Sequence, residues 1–336
     1  MNFSRQIIRA VSLCSIVAAL AACSSVPGSG LLDRFGGGDD DIDPNSPARE
    51  DRKAVLALEG ALEPDPALQG MNIELPPPYV NAAWTQPGGD ADHTLHHLAA
   101  DFTGKKMWTV DIGAGSTKRA PVIAPPVVAD GKIFVIDPEA KVSAYDAESG
   151  ERLWRREMTP DVSEENRAFW RMWESIDPAE LGFGGGVAYD NGRVFATSGF
   201  GFIAGLDAET GEVLWEHSDT SPIRTAPTAA NGRVYAVNNL NRLAALNQED
   251  GSLVWDHESF EETARFLSAA SPAASYDVVV APLSSGEVIA LNADNGRQLW
   301  SQTISRSSRL TALSNLNDIA GSPAVDRGIV FAISHA

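Results

Sequence analysis

The chain has 336 residues, of which 43% are hydrophobic, so it is long enough for one large β domain or two ordinary ones. It carries 26 Lys and Arg residues against 45 Asp and Glu residues, and the formal net charge of −19 repels nucleic-acid phosphates and anionic headgroups. No nucleic-acid partner is therefore expected. Because the only two cysteines are Cys14 and Cys23, the chain beyond residue 23 has no thiol chemistry available to it.

The N-terminus has the pattern of a signal peptide over residues 1–22. Two arginines precede a short apolar run over residues 11–22, which is too short for a stable membrane-spanning helix. The run ends in Leu-Ala-Ala-Cys at Cys23, which resembles the lipobox of bacterial lipoproteins. The resemblance implies a lipid on the Cys23 thiol and, since no Asp follows it, a lipid-anchored location at the outer membrane, facing the periplasm. An ordinary secretory signal is the alternative.

Residues 23–79 are predicted to form a linker. The stretch 24–52 is rich in Gly, Ser, Pro and Asp and has too few apolar groups to offset the entropy lost on ordering. Its three consecutive glycines, residues 36–38, lack the Lys-Ser/Thr of a phosphate-binding loop and precede three aspartates. A short apolar segment and a Pro-Pro-Pro run then lead onto the domain, which we expect to begin at about residue 80.

One pattern recurs along the rest of the chain: a glycine four residues before a tryptophan. Four full copies, each opened by Asp or Asn, and one reduced copy place five of the eight tryptophans in this position. The tryptophans are Trp108, Trp154, Trp215, Trp255 and Trp300, and the glycines of the full copies are Gly150, Gly211, Gly251 and Gly296. Successive tryptophans are 46, 61, 40 and 45 residues apart, a spacing typical of β-propeller blades.

The segment before each full copy predicts a β-hairpin. A strand of small residues is followed by a tight turn and a strand of β-branched or aromatic residues, and three of the turns are Asp-Gly or Asn-Gly pairs. We therefore predict an all-β propeller of four-stranded antiparallel blades, with the tryptophans between blades. Both faces of a blade require apolar residues, which explains why Leu153, Leu214 and Leu299 each precede a tryptophan.

The 61-residue spacing contains an insertion at about residues 159–182. Ser163 begins a possible helix, and Phe169, Trp170 and Trp173 form an aromatic patch at helical spacing. The patch is either a lid that packs on the propeller or an exposed element that binds a partner.

The tryptophan repeat resembles that of the pyrroloquinoline-quinone dehydrogenase-like propellers, over residues from about 80 to the end. Together with the lipobox, it points to the outer-membrane assembly factor BamB family. Since that family has eight-bladed rings, the resemblance implies a truncated sequence with about four full and two partial blades over residues 80–336. A self-closing five-bladed ring is the alternative.

The resemblance also implies a function without catalysis, cofactor or metal. It implies a scaffold of the outer-membrane β-barrel assembly machinery that binds the BamA insertase through a POTRA domain, contacts other subunits and assists insertion of barrel proteins. The segment 316–323 looks like a conserved part of the family, so Asn317 and Asp318 are candidate partner-binding residues, with Trp170 and Trp173 of the insertion. A propeller edge could also pair with an incoming barrel strand.

Other functions remain open. Another periplasmic propeller that binds protein or polysaccharide would have the same repeat. Quinoprotein dehydrogenases of the superfamily hold their quinone under a vicinal disulfide and beside calcium, and this chain has no cysteine after Cys23. His93, His96 and His97 have i, i+3 and i+4 spacing, which could present two imidazoles to a metal on one face of a helix. No further ligand is identifiable, and a polar loop is the alternative.

Overall fold

The structure is a computed structural model that describes residues 66, 70, 72, 74–100, 104–160, 177–260, 270–305 and 318–334. The chain divides into a unit over Met1–Ile73 and a unit over Glu74–Ala336, and all elements below belong to the second. The signal peptide, Cys23, Trp170, Trp173 and Asn317 lie outside the described residues.

The second unit is built from successive antiparallel sheets, each contiguous in sequence. Blade 1 contains β1 (Val127–Ala129), β2 (Lys132–Ile136), β3 (Lys141–Asp146) and β4 (Arg152–Glu157). A short helix, α1 (Pro178–Gly182), precedes blade 2, which contains β5 (Gly186–Asp190), β6 (Arg193–Ser198), β7 (Phe202–Asp207) and β8 (Val213–Ser218). Blade 3 contains β9 (Thr228–Ala230), β10 (Arg233–Val237), β11 (Arg242–Asn247) and β12 (Leu253–Glu258). Blade 4 contains β13 (Ala273–Ser275), β14 (Val278–Pro282), β15 (Glu287–Asn292) and β16 (Gln298–Thr303), and a half-blade contains β17 (Ala324–Asp326) and β18 (Ile329–Phe331).

The predicted all-β propeller architecture is confirmed, and its turns show why this sequence forms it. Asp130-Gly131 in blade 1 has φ angles of 49° and 70°, and the Asn-Gly turns of blades 2 and 3 have nearly the same values. Two consecutive residues with positive φ match the right-handed twist of the flanking strands. The turn before β18 keeps this geometry with Arg327 and Gly328, at φ 49° and 79°, whereas the turn before β14 has a positive φ at Tyr276 (52°) but not at Asp277.

The third and fourth strands of each full blade are joined by a side-chain-supported turn. The Oδ1 atom of Asp146 accepts hydrogen bonds from the backbone N–H groups of Glu148 and Ser149, and Asp207 forms the same turn in blade 2. These bonds stabilise the carboxylates and lower the pKa of both aspartates. The turn ends at a glycine with φ near 70° in every full blade.

The apolar core lies between blades. The second and third strands of a blade have buried residues on both faces, as in the buried Arg242–Asn247 strand, because a neighbouring blade covers each face. Separate clusters of buried residues fill the junctions of blades 1 and 2, 2 and 3, 3 and 4, and blade 4 with the half-blade. The first strands contact one another from blade to blade, so they are the innermost strands around a common axis.

Candidate functional site: the blade seams and the two propeller faces

Each described junction between full blades is fastened by one tryptophan, and the contact crosses from one repeat to the next. The Trp154 ring packs against Gly211 of blade 2, and its Nε1–H donates to the Ala208 carbonyl at 3.0 Å. The same pair of contacts joins Trp108 to Gly150 and Ala147, Trp215 to Gly251 and Gln248, and Trp255 to Gly296 and Ala293, with Nε1···O distances of 3.2, 2.9 and 2.8 Å. A glycine is needed at these places because a Cβ atom would overlap the indole ring.

A small residue lies opposite each tryptophan within its own blade. On the neighbouring strand, Ala144, Gly205, Ala245 and Ala290 lie directly across from the four tryptophans of blades 1 to 4. The register shifts immediately after each of these small residues, so the residue just before each tryptophan forms a β-bulge in every full blade.

Trp300 differs from the other tryptophans of the full blades. Trp300 is 40% exposed, whereas Trp215 and Trp255 are 8% and 9% exposed. A cavity of about 460 Å³ lies beside Trp300 and is lined by Val288, Ile304 and residues 328–330. The difference follows from the seam geometry, since the described residues place no glycine turn of a following repeat against this indole.

The antiparallel strands give the propeller two distinct faces. The turn face carries the first-to-second and third-to-fourth strand turns, such as Asp130-Gly131 and residues 146–151. The connection face carries the second-to-third strand connections and the residues that lead into each first strand, such as Arg224 and Asp318.

On the turn face, residues 84–94 cross the ends of the innermost strands; we call this segment the strap. Trp84 and Val128 of β1 exchange two backbone hydrogen bonds of 2.7 Å, and at the other end Val325 of β17 donates to the Asp92 carbonyl at 2.9 Å. This arrangement was not predicted from the sequence, because the hydrogen bonds join residues that are far apart along the chain.

The strap determines where the histidines lie. His93 is largely buried, and its Nδ1 atom is 2.7 Å from the Pro323 carbonyl, while His97 Nδ1 is 2.7 Å from the Pro76 carbonyl. Burial lowers the pKa of His93, which favours a neutral ring that donates to this carbonyl. Among the described residues, no group of three or more His, Cys, Asp or Glu side chains is placed to hold a metal ion.

Two carboxyl groups meet in the strap. Asp90 and Asp92 both accept a hydrogen bond from the Thr94 backbone N–H, at 2.8 and 3.2 Å. Burial, followed by the hydrogen bond and charge of Asp90, raises the pKa of Asp92 to about 6. The folded chain therefore holds this proton more tightly than the unfolded chain does.

This shift predicts a pH-dependent effect of Asp92→Asn. Stability from the Asp92 proton is fully present below pH 3.8 and is lost as the pH rises through about 6. An amide resembles the protonated carboxyl at every pH, so the variant should gain stability relative to the wild type between pH 4.5 and pH 7.5, on the order of 1 kcal/mol after solvent screening. Urea unfolding at both pH values measures this, with the exposed Glu249→Gln as control. An equal difference at the two pH values would contradict the shift.

On the connection face, a cavity of about 320 Å³ lies over the inner side of the strap. Pro87 and Gly88 form its floor, and Gly185, Ala226 and Arg224 are among its walls. The Arg224 guanidinium lies 4.0 Å from the centre of the Phe183 ring, in cation–π geometry. The strap therefore covers the axis from the turn face, and the approach to this cavity is from the connection face.

Asp318 also lies on the connection face, but its side chain is only 9% exposed. It lines a small cavity of about 40 Å³ together with Arg224, Asn238 and Asn241. The more exposed neighbours are Ala320 and Ser322. A partner on this face would therefore contact the rim around Asp318 more than the carboxylate itself. The ends of the predicted insertion, at Thr159 and Gly182, lie on the same face as judged from the strands that they follow and precede.

Comparisons with known proteins agree with this geometry. A family model described as outer membrane protein assembly factor BamB matches residues 91–166 and 161–336. The BamB proteins of Shigella dysenteriae serotype 1 and Escherichia coli K12 are each 32% identical over 234 residues, which is 70% of this chain and 57% of the relative. The chain thus spans little more than half the length of these relatives.

Solved structures share the fold. BamB from Moraxella catarrhalis has a TM-score of 0.51 at 19% identity, over 66% of this chain and 60% of that chain. A europium-containing methanol dehydrogenase has a TM-score of 0.52 at 16% identity, over 67% and 49%. Among the described residues, no helix is long and apolar enough to cross a membrane. Since the family model matches residues 91–336, the chain belongs to the outer membrane protein assembly factor BamB family.

Proposed function

We propose that this chain is a non-catalytic scaffold of the outer-membrane β-barrel assembly machinery, in which it binds a BamA-like insertase and assists insertion of barrel proteins. The observation that carries the proposal is the match of residues 91–336 to the BamB family model. Curated relatives over 70% of the chain bear the same description. The POTRA domain of the insertase and further subunits of the machinery are the proposed partners.

The geometry supports a scaffold because its blades are fastened to one another by repeated contacts. Every described seam between full blades combines an apolar cluster with an indole on a glycine and one Nε1–H···O bond. Rigid elements position a binding surface with little entropy lost on association. The scaffold therefore presents its connections and insertions in fixed positions.

The proposed partner surface is the connection face. The strap covers the axis on the turn face, whereas the connection face exposes the rim around Asp318 and the two ends of the insertion. Asn317 and the aromatic residues Trp170 and Trp173 remain proposed contact residues on the basis of sequence. Lipidation of Cys23, at the end of a long acidic linker, would hold this scaffold at the outer membrane while the propeller faces the periplasm.

An enzymatic function has less support. The likeness to dehydrogenase structures is at 16–17% identity, which indicates a common fold and leaves function to be argued from the site. The sequence has no cysteine after Cys23 and so lacks the vicinal disulfide that the quinoprotein resemblance would require.

Co-purification tests the proposal. The chain should be retained by the immobilised periplasmic domains of a BamA-like insertase, and the triple variant Phe169→Ser, Trp170→Ser and Trp173→Ser should lose retention at least about tenfold, since exposed aromatic anchors carry much of the energy of an interface. Tyr276→Ser is the matched control, because Tyr276 is 89% exposed on the turn face.

The outcomes separate the claims. No retention of the wild-type chain would contradict the insertase as partner. Retention of the triple variant at the wild-type level would contradict the insertion as the contact. A triple variant that unfolds, as judged by circular dichroism, would show that the aromatic residues pack on the propeller as a lid.

A further inference from the structure

The innermost strands share one feature that the blade fold does not require. In each of β1, β5, β9, β13 and β17, the residue two positions before the tight turn directs its backbone N–H towards the axis, where no strand pairs with it. These five equivalent residues are Val128, Tyr189, Ala229, Ala274 and Val325. All five N–H groups are satisfied by the strap.

The bonds are distributed along the strap in chain order. Val128 donates to the Trp84 carbonyl at 2.7 Å, and Tyr189 donates to the Thr85 carbonyl at 2.8 Å. Ala274 donates to the Ala91 carbonyl at 2.7 Å and Val325 to the Asp92 carbonyl at 2.9 Å. One segment therefore meets blades 1 to 4 and the half-blade at the same register position.

The blade 3 contact uses a side chain in place of the backbone. The Gln86 amide is 1% exposed; its Nε2 donates to the Ala229 carbonyl at 2.9 Å and its Oε1 accepts from the Ala229 N–H at 3.3 Å. A primary amide reproduces the donor and acceptor of a peptide group, so Gln86 completes the row where the strap backbone turns away. That turn runs from Gln86 to Gly89, whose N–H donates to the Gln86 carbonyl at 2.9 Å.

The strap is closed on itself by contacts of its own. A Cβ atom on Gly88 would overlap the His93 ring, so the turn packs directly on the far half of the strap. The flanks of the strap are joined as well, since the Tyr79 N–H donates to the His97 carbonyl at 3.0 Å and the Ala99 N–H donates to the Tyr79 carbonyl at 2.7 Å. The segment is thus a compact loop, whose ends meet while its middle spans five strand edges.

We propose that the inner edges of the first strands form a peptide-binding site, and that this chain fills the site with its own residues 84–94. The ligand class is a peptide segment with a central turn that presents backbone carbonyl groups on both sides of it, as Trp84, Thr85, Ala91 and Asp92 do. The ligand is recognised by the five backbone N–H groups and by the Ala229 carbonyl, which together with the Ala229 N–H binds the Gln86 amide. The carbonyl groups of Pro323 and Val325 face His93 and Thr94. Backbone pairing supplies affinity, and the amide and imidazole positions supply selectivity. Release of the strap opens the turn-face end of the axis.

The test uses the whole chain with two strap variants. Gly88→Val overlaps the His93 ring, and Gln86→Leu removes both bonds to Ala229 with little change in volume; Gly115→Val is the matched control, because no atom lies within 4 Å of a Cβ there. Hydrogen–deuterium exchange should show the amides of the five first strands losing protection together, by about tenfold or more, while β6 and β10 stay protected. The control should exchange like the wild type.

A synthetic peptide of residues 79–99 then tests whether the edges are a binding site. Added to either variant, it should restore protection at the five amides, and it should leave the wild type unchanged because that site is filled. A peptide with Gln86→Leu should need at least about tenfold more to do so.

Three results would overturn the proposal: amides that respond one by one, amides that stay protected in both variants, or released amides that the peptide does not protect again. If Gly88→Val does not fold, the Gln86→Leu variant carries the same comparison.

Discussion

Trp215→Ala is expected to lower the free energy of unfolding by about 3–5 kcal/mol, whereas Trp300→Ala should lower it by less than half as much. Both residues occupy the same position in their blades, opposite Gly205 and Ala290. They differ in their other neighbour, since the Trp215 ring packs on Gly251 and its Nε1–H donates to the Gln248 carbonyl at 2.9 Å. Removal of Trp215 opens a cavity in a seam and removes one of the two hydrogen bonds to the Gln248 carbonyl, which also accepts from Arg193 Nη1 at 2.7 Å.

Urea unfolding followed by far-ultraviolet circular dichroism measures this difference without depending on tryptophan fluorescence. The two variants delete the same atoms, so their comparison cancels the effect of the side chain on the unfolded state. Equal losses for the two variants would contradict the conclusion that the contact with the following repeat, more than the hydrophobicity of the indole, holds each seam together.

Local patterns in the sequence were sufficient to predict the blades. The Asp-Gly and Asn-Gly turns, the Asx-supported turns and the alternation of short strands are each set by residues within about six positions of one another. The structure has them where they were expected, as at Asp130-Gly131 and Asp146. A repeat within one chain also reveals itself by self-comparison, without knowledge of its neighbours in space.

The partner of each tryptophan could not be read from the same pattern. Gly211 and Trp215 stand four residues apart in one copy, yet the ring on Gly211 is that of Trp154, from the preceding copy. The glycine and the tryptophan of one copy therefore belong to two different seams. Their recurrence along the chain gave the correct repeat length, but it did not show which glycine contacts which tryptophan.

The residue before each tryptophan was interpreted less accurately. The sequence predicts that Leu153, Leu214 and Leu299 are buried with their tryptophans, but they are 46%, 44% and 44% exposed. Each lies on the outermost strand, where one face meets the next blade and the other meets solvent. Scattered exposed leucines of this kind are common on protein surfaces.

The strap was not predicted because its contacts have no local signature. The residues that Gln86 and Thr94 bind are 143 and 231 positions away. The sequence around His93 suggested a metal ligand or a polar loop, and the imidazole faces a backbone carbonyl of the half-blade. Backbone donors on the propeller leave no pattern of side chains in the sequence, so neither the strap nor its contacts were predicted.

Gly296→Ala is expected to lower the free energy of unfolding by about 1–3 kcal/mol more than Gly232→Ala. Both glycines have a left-handed backbone, with φ of 70° and 75°, so an added methyl group brings about the same conformational strain at each position. They differ in the space available, because a Cβ on Gly296 would lie 2.6 Å from the Trp255 ring, whereas no atom lies within 4 Å at Gly232.

The comparison separates backbone strain from seam packing. Displacement of Trp255 would also lengthen its Nε1–H bond to the Ala293 carbonyl, now 2.8 Å, so the two contacts of the seam are lost together. Thermal and urea unfolding of the two variants measure the difference, and a double variant with Trp255→Ala gives a further check. In the Trp255→Ala background, where the indole is gone, Gly296→Ala should cost no more than Gly232→Ala does, because only the strain remains. A Gly296→Ala effect of the same size with and without the indole would show that the glycine is required for its φ angle alone, and that the seam tolerates a side chain beneath the ring.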